Sequence, residues 1–305
     1  MAEHYWGIDL GGTKIEAVVI DSSLHPLIRR RLATEASGGY THILQRIRQL
    51  IEMISCEAAI DPPELIGIGT PGIYDAAHGI MKNSNTVCLN GRNLKDDLEQ
   101  TLKRAVVLEN DANCFALAES RLGAGSTVMS DPSKMAFGII LGTGVGGGIV
   151  SGGKARHGAH GIAGEWGHNE LIPGGEPCYC GRQGCVETII SGPALERYYQ
   201  KLNGSFKSLD QIAVTCDSDD AASATIERLL FYFGKALATV INIIDPDLCI
   251  LGGGVGQVEQ LYSKEAVQSI ERHLFNSELR TSILKPLLGD SAGVFGAALL
   301  VRNVY

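Results

Sequence analysis

Residues 164–187 read GEWGHNELIPGGEPCYCGRQGCVE and hold His168, Cys178, Cys180 and Cys185 in the pattern H-x9-C-x-C-x4-C, with Glu165 and Glu187 at either end. Three thiolates and an imidazole are the set that Zn²⁺ takes in a closed tetrahedral site. Cys178 and Cys180, one residue apart, would make a strained disulfide, and no C-x-x-C redox pair is present. The spacing therefore predicts a structural zinc ion, with free thiols as the alternative. Gly181 and Gly184 let the loop fold back around it. A closed zinc site does no chemistry itself, but it can hold Glu165, His168 and Glu187 toward a ligand with many hydroxyls. Solvated turn glutamates are the competing explanation. The other cysteines (Cys56, Cys88, Cys114, Cys216, Cys249) lie among apolar or helical residues and read as small, buried and inert.

Three glycine-rich turns form a second group. DLGGTK (9–14) exposes backbone N–H groups at a hairpin bend, and Thr13 and Lys14 add a hydroxyl and a cation. LGTGVGGG (141–148) repeats the device, and CILGGGVG (249–256) supplies a third. None fits the P-loop or the dinucleotide fingerprint. Singly they are tight turns; together they point to a nucleotide. Asp9 is the charged residue of an apolar strand, a position suited to the Mg²⁺ that accompanies nucleotide phosphates or to capping a turn. Asn110 and Asp111 stand where a strand gives way to a helix. There Asp111 is either an N-cap or a catalytic carboxylate at the C-terminal end of a strand.

These groups need a scaffold. WGIDLGGTKIEAVVID (6–21) and FGIILGTGVGGGIVSGG (137–153) both read as strand–turn–strand, and their alignment (Gly7 with Gly138, Leu10 with Leu141) suggests two halves on one plan. Helical periodicity covers 39–54, with Ile43, Ile47, Leu50 and Ile54 on one side, and helices are expected at 93–105 behind Asn93, 112–122, 191–204 and 219–244. Strands are expected at 65–72, 106–111 and 247–256, and a closing helix, rich in Ala and Gly, at 291–304. Strands alternate with helices, so the class is α/β. A length of 305 residues accommodates two domains, and the boundary is expected near 110–125. The net charge of −8 argues against a nucleic-acid partner. Arg29, Arg30 and Arg31, the densest basic run, read as the solvated end of a strand. Neither a signal peptide nor a membrane span is seen, so a cytoplasmic protein without a membrane partner is expected.

In order along the chain, DLGGTK, TPG (70–72), ENDANC (109–114), LGTGVGGG, GEWGH (164–168), CYCGRQGCVE (178–187), ILGGGV (250–255) and GDSAGVFGAA (289–298) resemble the motifs of the ROK family of repressors and sugar kinases. That resemblance implies a two-domain actin-like, hexokinase-like (ribonuclease H-like) ATPase fold with an interdomain cleft, usually as a homodimer. It divides the chain into residues 1–115, rejoined by a C-terminal helix at 291–305, and a larger domain at 116–290 with the zinc loop. It further implies that Asp111 is the general base for a sugar hydroxyl. Asn110, Glu165, His168 and Glu187 then bind the sugar, with Gly72 and Asn85 as weaker candidates, and His168 gives one ring nitrogen to zinc and the other to the sugar. Gly11, Gly12, Thr13, Lys14, Gly142, Thr143 and Gly144 surround the ATP phosphates, and Gly252, Gly253 and Gly254 lie toward the nucleoside. The expected activity is ATP-dependent phosphorylation of a sugar 6-hydroxyl. Residues 70–99 and 161–173 look most like the fructokinase and mannokinase branch, which puts fructose first and N-acetylglucosamine second. A non-catalytic sugar sensor or regulator of the same family is the reading from another class. Repressors of the family carry an N-terminal helix-turn-helix, for which the stretch before Asp9 leaves no room.

Overall fold

The structure, a computed structural model, describes residues 4–302. In chain order the first elements are β1 (His4–Leu10), β2 (Lys14–Asp21), β3 (Pro26–Ala33), α1 (Tyr40–Ala58), β4 (Leu65–Thr70), β5 (Ile73–Asp75), β6 (Ile80–Lys82), α2 (Leu94–Leu102), β7 (Ala105–Asn110) and α3 (Asp111–Arg121). There follow β8 (Met135–Leu141), β9 (Val145–Ser151), β10 (Lys154–Ala155), α4 (Glu187–Ile190), α5 (Gly192–Asn203), α6 (Leu209–Thr215) and α7 (Asp220–Ile244). The last are β11 (Leu248–Gly252), α8 (Lys264–Glu271), β12 (Ser282–Leu284) and α9 (Ala292–Arg302). The chain forms two compact units. One contains the described residues up to Glu119, Lys154–Ala163 and those from Leu288 onward; the other contains Ser120–Gly153 and Gly164–Leu287. Compared with a division at 115/116 and 290/291, the difference is mainly the short segment 154–163, which packs with the first unit. The class is α/β.

In the first unit the sheet order is β3-β2-β1-β4-β7. β1, β2 and β3 run antiparallel in succession, whereas β1, β4 and β7 are parallel. Alternation along β1 divides its side chains between the two faces. Trp6, Ile8 and Leu10 join the Ile43, Ile47, Leu50 and Ile54 stripe of α1, while Tyr5 packs with Val18, Ile20, Val294, Ala298 and Val301 on the face covered by α9. The small residues of α9 permit close approach because the sheet also lacks side chains there. A Cβ on Gly7 would stand 2.3 Å from the Val294 carbonyl oxygen, and one on Gly67 1.8 Å from that of Ala297. Gly67→Ala therefore cannot be absorbed by a rotamer change; helix and strand must separate. We expect a loss of about 3 kcal/mol, read as a lowered denaturation midpoint. A midpoint equal to wild type would show that α9 is not seated on β4.

In the second unit β9-β8-β11-β12 lie in that order, β8 and β9 antiparallel and β8, β11 and β12 parallel. Each hairpin is thus followed by a parallel neighbour of its first strand, the shared plan that the two Gly-rich sequences suggested. Phe137, Ile139 and Leu141 pack with Leu195 and Tyr199 of α5 and with Leu229, Phe233, Leu237 and Ile241 of α7. α7 begins where the Asp219 carboxylate accepts the N–H groups of Ala221 and Ala222, and α2 where Asn93 accepts that of Asp96.

Several expectations need correction. Arg29, Arg30 and Arg31 are exposed on a strand, as expected, but lie within edge strand β3 rather than at its end, and each is paired. Arg29 and Arg31 pair with the buried Glu16, and Arg30 pairs with Glu57. Cys114 and Cys249 are buried, but Cys56 is exposed and Cys88 and Cys216 are intermediate. The closing helix runs from Ala292 to Arg302; positions 303–305 of the expected helix lie outside the described residues. No helix among the described residues is long and apolar enough to cross a membrane.

Candidate functional site

In the first unit, β1, β4 and β7 run parallel, and their C-terminal ends deliver Leu10, Thr70 and Asn110 to one edge of the sheet, the edge at which open α/β sheets assemble ligand sites. Three sequence segments meet there. After β1, the 11–14 turn is closed by the Gly11 N–H donating to the Lys14 carbonyl at 2.9 Å and by Thr34 Oγ1 donating to the Gly11 carbonyl at 2.6 Å. After β4 comes Gly72, whose φ of 124° and crowding by Lys82 and Ser84 leave no room for a side chain. After β7 comes α3, with Asp111 as its first residue.

Asn110 holds the last two segments together. Its Nδ2 donates to the Gly72 carbonyl at 3.3 Å, and its Oδ1 accepts the Ala112 N–H at 2.9 Å. Asp111 Oδ1 accepts the same N–H at 2.8 Å, so the capping expected of Asp111 is shared with Asn110. Asn85 is exposed near this turn, accepting a long bond of 3.5 Å from Thr86 Oγ1.

Asp9 lies opposite Glu16 in the β1–β2 ladder and beside Gly69 of β4. Gly69 and Gly293 make room for its carboxylate, since a Cβ on Gly293 would come within 2.9 Å of it. Burial, then the charges of Asp111 and Glu16, push its pKa up to about 7, against the pull of Lys14 and Arg31. The folded chain therefore keeps a proton that an unfolded aspartate has lost. The contribution of this group to stability falls as pH rises from the ordinary aspartate range through about 7. In the ligand-free protein, Asp9→Asn should raise the melting temperature most at pH 8 and clearly less at pH 5. Equal shifts at both values would show that Asp9 titrates normally.

In the second unit, β8 and β11 are parallel neighbours with Gly252 opposite Ile140, which brings the 142–144 and 252–254 turns to one end of that sheet. The Gly142 N–H donates to the Gly144 carbonyl at 2.9 Å, and the Gly142 carbonyl accepts the Gly192 N–H at 2.8 Å as α5 begins. Thr143 is exposed. Gly253, with φ 80°, lies against the Leu141 carbonyl, whereas no atom stands within 4 Å of a Cβ on Gly142 or Gly254.

Glu187 has a task that the sequence did not disclose. Its Oε2 accepts the Val145 N–H at 2.8 Å and fills the space beside Gly144. The residue at the end of the cysteine loop thus fixes the glycine turn between β8 and β9. Burial, then the Glu187 charge, raises the pKa of Glu165, so two of the expected hydroxyl acceptors share one electrostatic neighbourhood.

The four sulfur and nitrogen ligand atoms of His168, Cys178, Cys180 and Cys185 all lie within 4.8 Å of one another. Cys180 and Cys185 sulfurs are 3.7 Å apart, and Cys178 Sγ is 3.5 Å from His168 Nδ1. A tetrahedral zinc with bonds of about 2.3 Å to sulfur and about 2.0 Å to nitrogen has edges of about 3.8 and 3.5 Å. The donor set and these two edges fit the ion. The other ring nitrogen of His168, expected to meet the sugar, stands 3.0 Å from the Tyr179 hydroxyl. Tyr179 was not foreseen as a site residue; its place between two cysteines of the cluster was the available signal.

The chain is similar to several known proteins. An N-acetyl-D-glucosamine kinase of Yersinia pseudotuberculosis serotype O:3 (strain YPIII) is 34% identical over 311 residues, covering 97% of this chain and 98% of that protein. A crystal structure of a ROK hexokinase from Thermus thermophilus superposes with a TM-score of 0.86 at 31% identity, covering 99% of this chain and all of the other. A ROK family glucokinase from Streptomyces griseus, in complex with glucose and AMPPNP, gives a TM-score of 0.79 at 32% identity over 99% of this chain and all of that one. The fold is accordingly the actin-like ATPase fold of ROK hexokinases. The sequence pattern of the ROK family matches residues 5–304, and with likeness above 30% along nearly its whole length, the chain belongs to the ROK family.

Proposed function

We propose that the chain is an ATP-dependent sugar kinase whose acceptor is the 6-hydroxyl of an N-acetylated hexosamine, N-acetylglucosamine foremost. The observation that carries the kinase reading is Asp111 at the junction of β7 and α3, on the sheet edge that also holds the 11–14 turn and the half-buried carboxyl of Asp9. Phosphoryl transfer depends on positioning and charge neutralisation. Asp111 orients the attacking hydroxyl and accepts its proton, while Asn110 and the backbone at Gly72 fix the neighbouring ring oxygens, with Asn85 at the margin. Glu165, His168 and Glu187 take further hydroxyls, a role in keeping with carboxylates that hydrogen-bond rather than repel a polyol.

The 11–14 and 142–144 turns present N–H groups, Thr13, Thr143 and Lys14 to the phosphates, and Gly252–Gly254 border the nucleoside. Open space above Gly142 and Gly254 supports this assignment. Mg²⁺ accompanying the nucleotide would neutralise phosphate charge, with Asp9 as the carboxylate that faces it. Zinc on His168, Cys178, Cys180 and Cys185 would hold the loop that carries Glu165 and Glu187.

The acceptor is proposed from the Yersinia relative. Fructose, favoured by residues 70–99 and 161–173, is the competing substrate. ADP release in the presence of Mg-ATP, measured with N-acetylglucosamine, N-acetylmannosamine, fructose, mannose and glucose, separates them. We expect the highest kcat/KM with N-acetylglucosamine and a product phosphorylated at carbon 6. A preference for fructose would overturn the acceptor, and silence on all five with folded, zinc-loaded protein would favour a sugar-responsive regulator.

A further inference from the structure

Glu109 immediately precedes Asn110 and Asp111 and is buried at the end of β7. Its Oε1 accepts two hydrogen bonds, from the Asn110 N–H at 2.8 Å and from Asn113 Nδ2 at 3.0 Å. The carboxylate therefore braces both the backbone that enters the Asp111 turn and the first turn of α3. Its second oxygen is buried without a well-directed hydrogen bond among the described residues, and His157 Nδ1 stands 3.2 Å from it. A buried carboxylate left unpaired is costly, so this imidazole is the group that completes it.

His157 belongs to a small closed loop in the same unit. The Ala163 N–H donates to the His157 carbonyl at 3.1 Å, the Gly161 N–H to that of Gly158 at 3.4 Å, and Gly161 rests on the Ile73 side chain of β5. Glu109 thus faces the His157 imidazole of the loop with one oxygen and holds the Asn110–Asp111 turn with the other.

We propose that Glu109 is a positioning residue for the Asn110–Asp111 turn and that His157 is the donor that holds it in place. The proposal deepens the kinase reading and rests on it. Glu109→Ala should lower kcat about 10- to 100-fold and raise the KM for sugar while the KM for ATP stays unchanged. Glu109→Gln keeps an acceptor for the Asn110 N–H and should restore most of the loss. His157→Ala should raise the KM for sugar about three- to tenfold, and His157→Asn, which retains an N–H for the buried oxygen, should reverse this. Wild-type kinetics in Glu109→Ala, equal changes in both KM values, or a glutamine variant no better than the alanine one would overturn the proposal.

Hydrogen exchange on the ligand-free protein separates its failure from that of the kinase reading. The Asn110 amide should exchange at least about tenfold faster in Glu109→Ala than in wild type or Glu109→Gln. Equal exchange overturns the bracing role whatever the enzyme turns over, whereas a faster amide in a protein that phosphorylates no sugar sustains the bracing and removes the kinase.

Discussion

Asp111→Asn should abolish turnover without unfolding the protein or releasing the sugar. We expect kcat to fall by about 10²- to 10⁴-fold, the usual contribution of a placed general base, with a KM for sugar within a few-fold of wild type. Asparagine is the informative replacement because it caps a helix about as well as aspartate. Its amide oxygen can still accept the Ala112 N–H that Asp111 accepts in the structure, but it cannot take a proton from a hydroxyl. If Asp111 only starts α3, the variant keeps its activity, and the catalytic assignment fails. Removing its charge also relieves Asp9, whose pKa Asp111 helps to raise. The melting temperature at neutral pH should therefore hold or rise as activity disappears. A fall in both would mean that the loss is one of folding.

Cys180→Ser should release the zinc ion and loosen the loop from Gly164 to Glu187. Apart from a short 3₁₀ turn at Trp166–His168, these residues form no helix before α4 and have only isolated bridges, Glu170 with Cys185 and Pro177 with Gln183. Little backbone ladder remains to fix the loop if the ion leaves. Structural zinc sites contribute folding free energy directly, and we expect the melting temperature to drop by on the order of 10 °C. Zinc content by mass spectrometry should fall from one ion per chain to none. The effect should reach the glycine turn, because Glu187 closes the loop and binds the Val145 N–H. The KM for ATP should therefore rise together with that for sugar. An unchanged melting temperature and metal content would refute the zinc site; lost metal with unchanged KM values would confine its role to stability.

The parts legible in the sequence were those with a local signature. The α1 stripe repeats at helical spacing, Asn93 precedes its helix as a cap, and the cysteine cluster is compressed into 18 residues from His168 to Cys185. Strand β3 was legible only at its arginines, because its residues are largely exposed and show no apolar alternation. The pairing of Arg29 and Arg31 was hidden because their buried partner, Glu16, lies on the neighbouring strand. Two site features were hidden for the same reason. Glu187 binds Val145 across 42 positions, and His157 returns to Glu109 from a loop after β9. Spacing reveals residues that share a turn or a helix face; it is silent on pairs that only tertiary folding brings together.

The seating of α9 over Gly7 and Gly67 also sets an order of events during synthesis. The strands of the first unit leave the ribosome before the second unit, but the helix that covers one face of their sheet is made only after it. All of the second unit, which ends at Leu287, emerges in between and can bury its own core first. The nascent amino-terminal half must wait with Tyr5, Val18 and Ile20 uncovered, a window in which chaperone contact is most needed. A stop codon before α9 should thus yield a folded second unit attached to an aggregation-prone sheet.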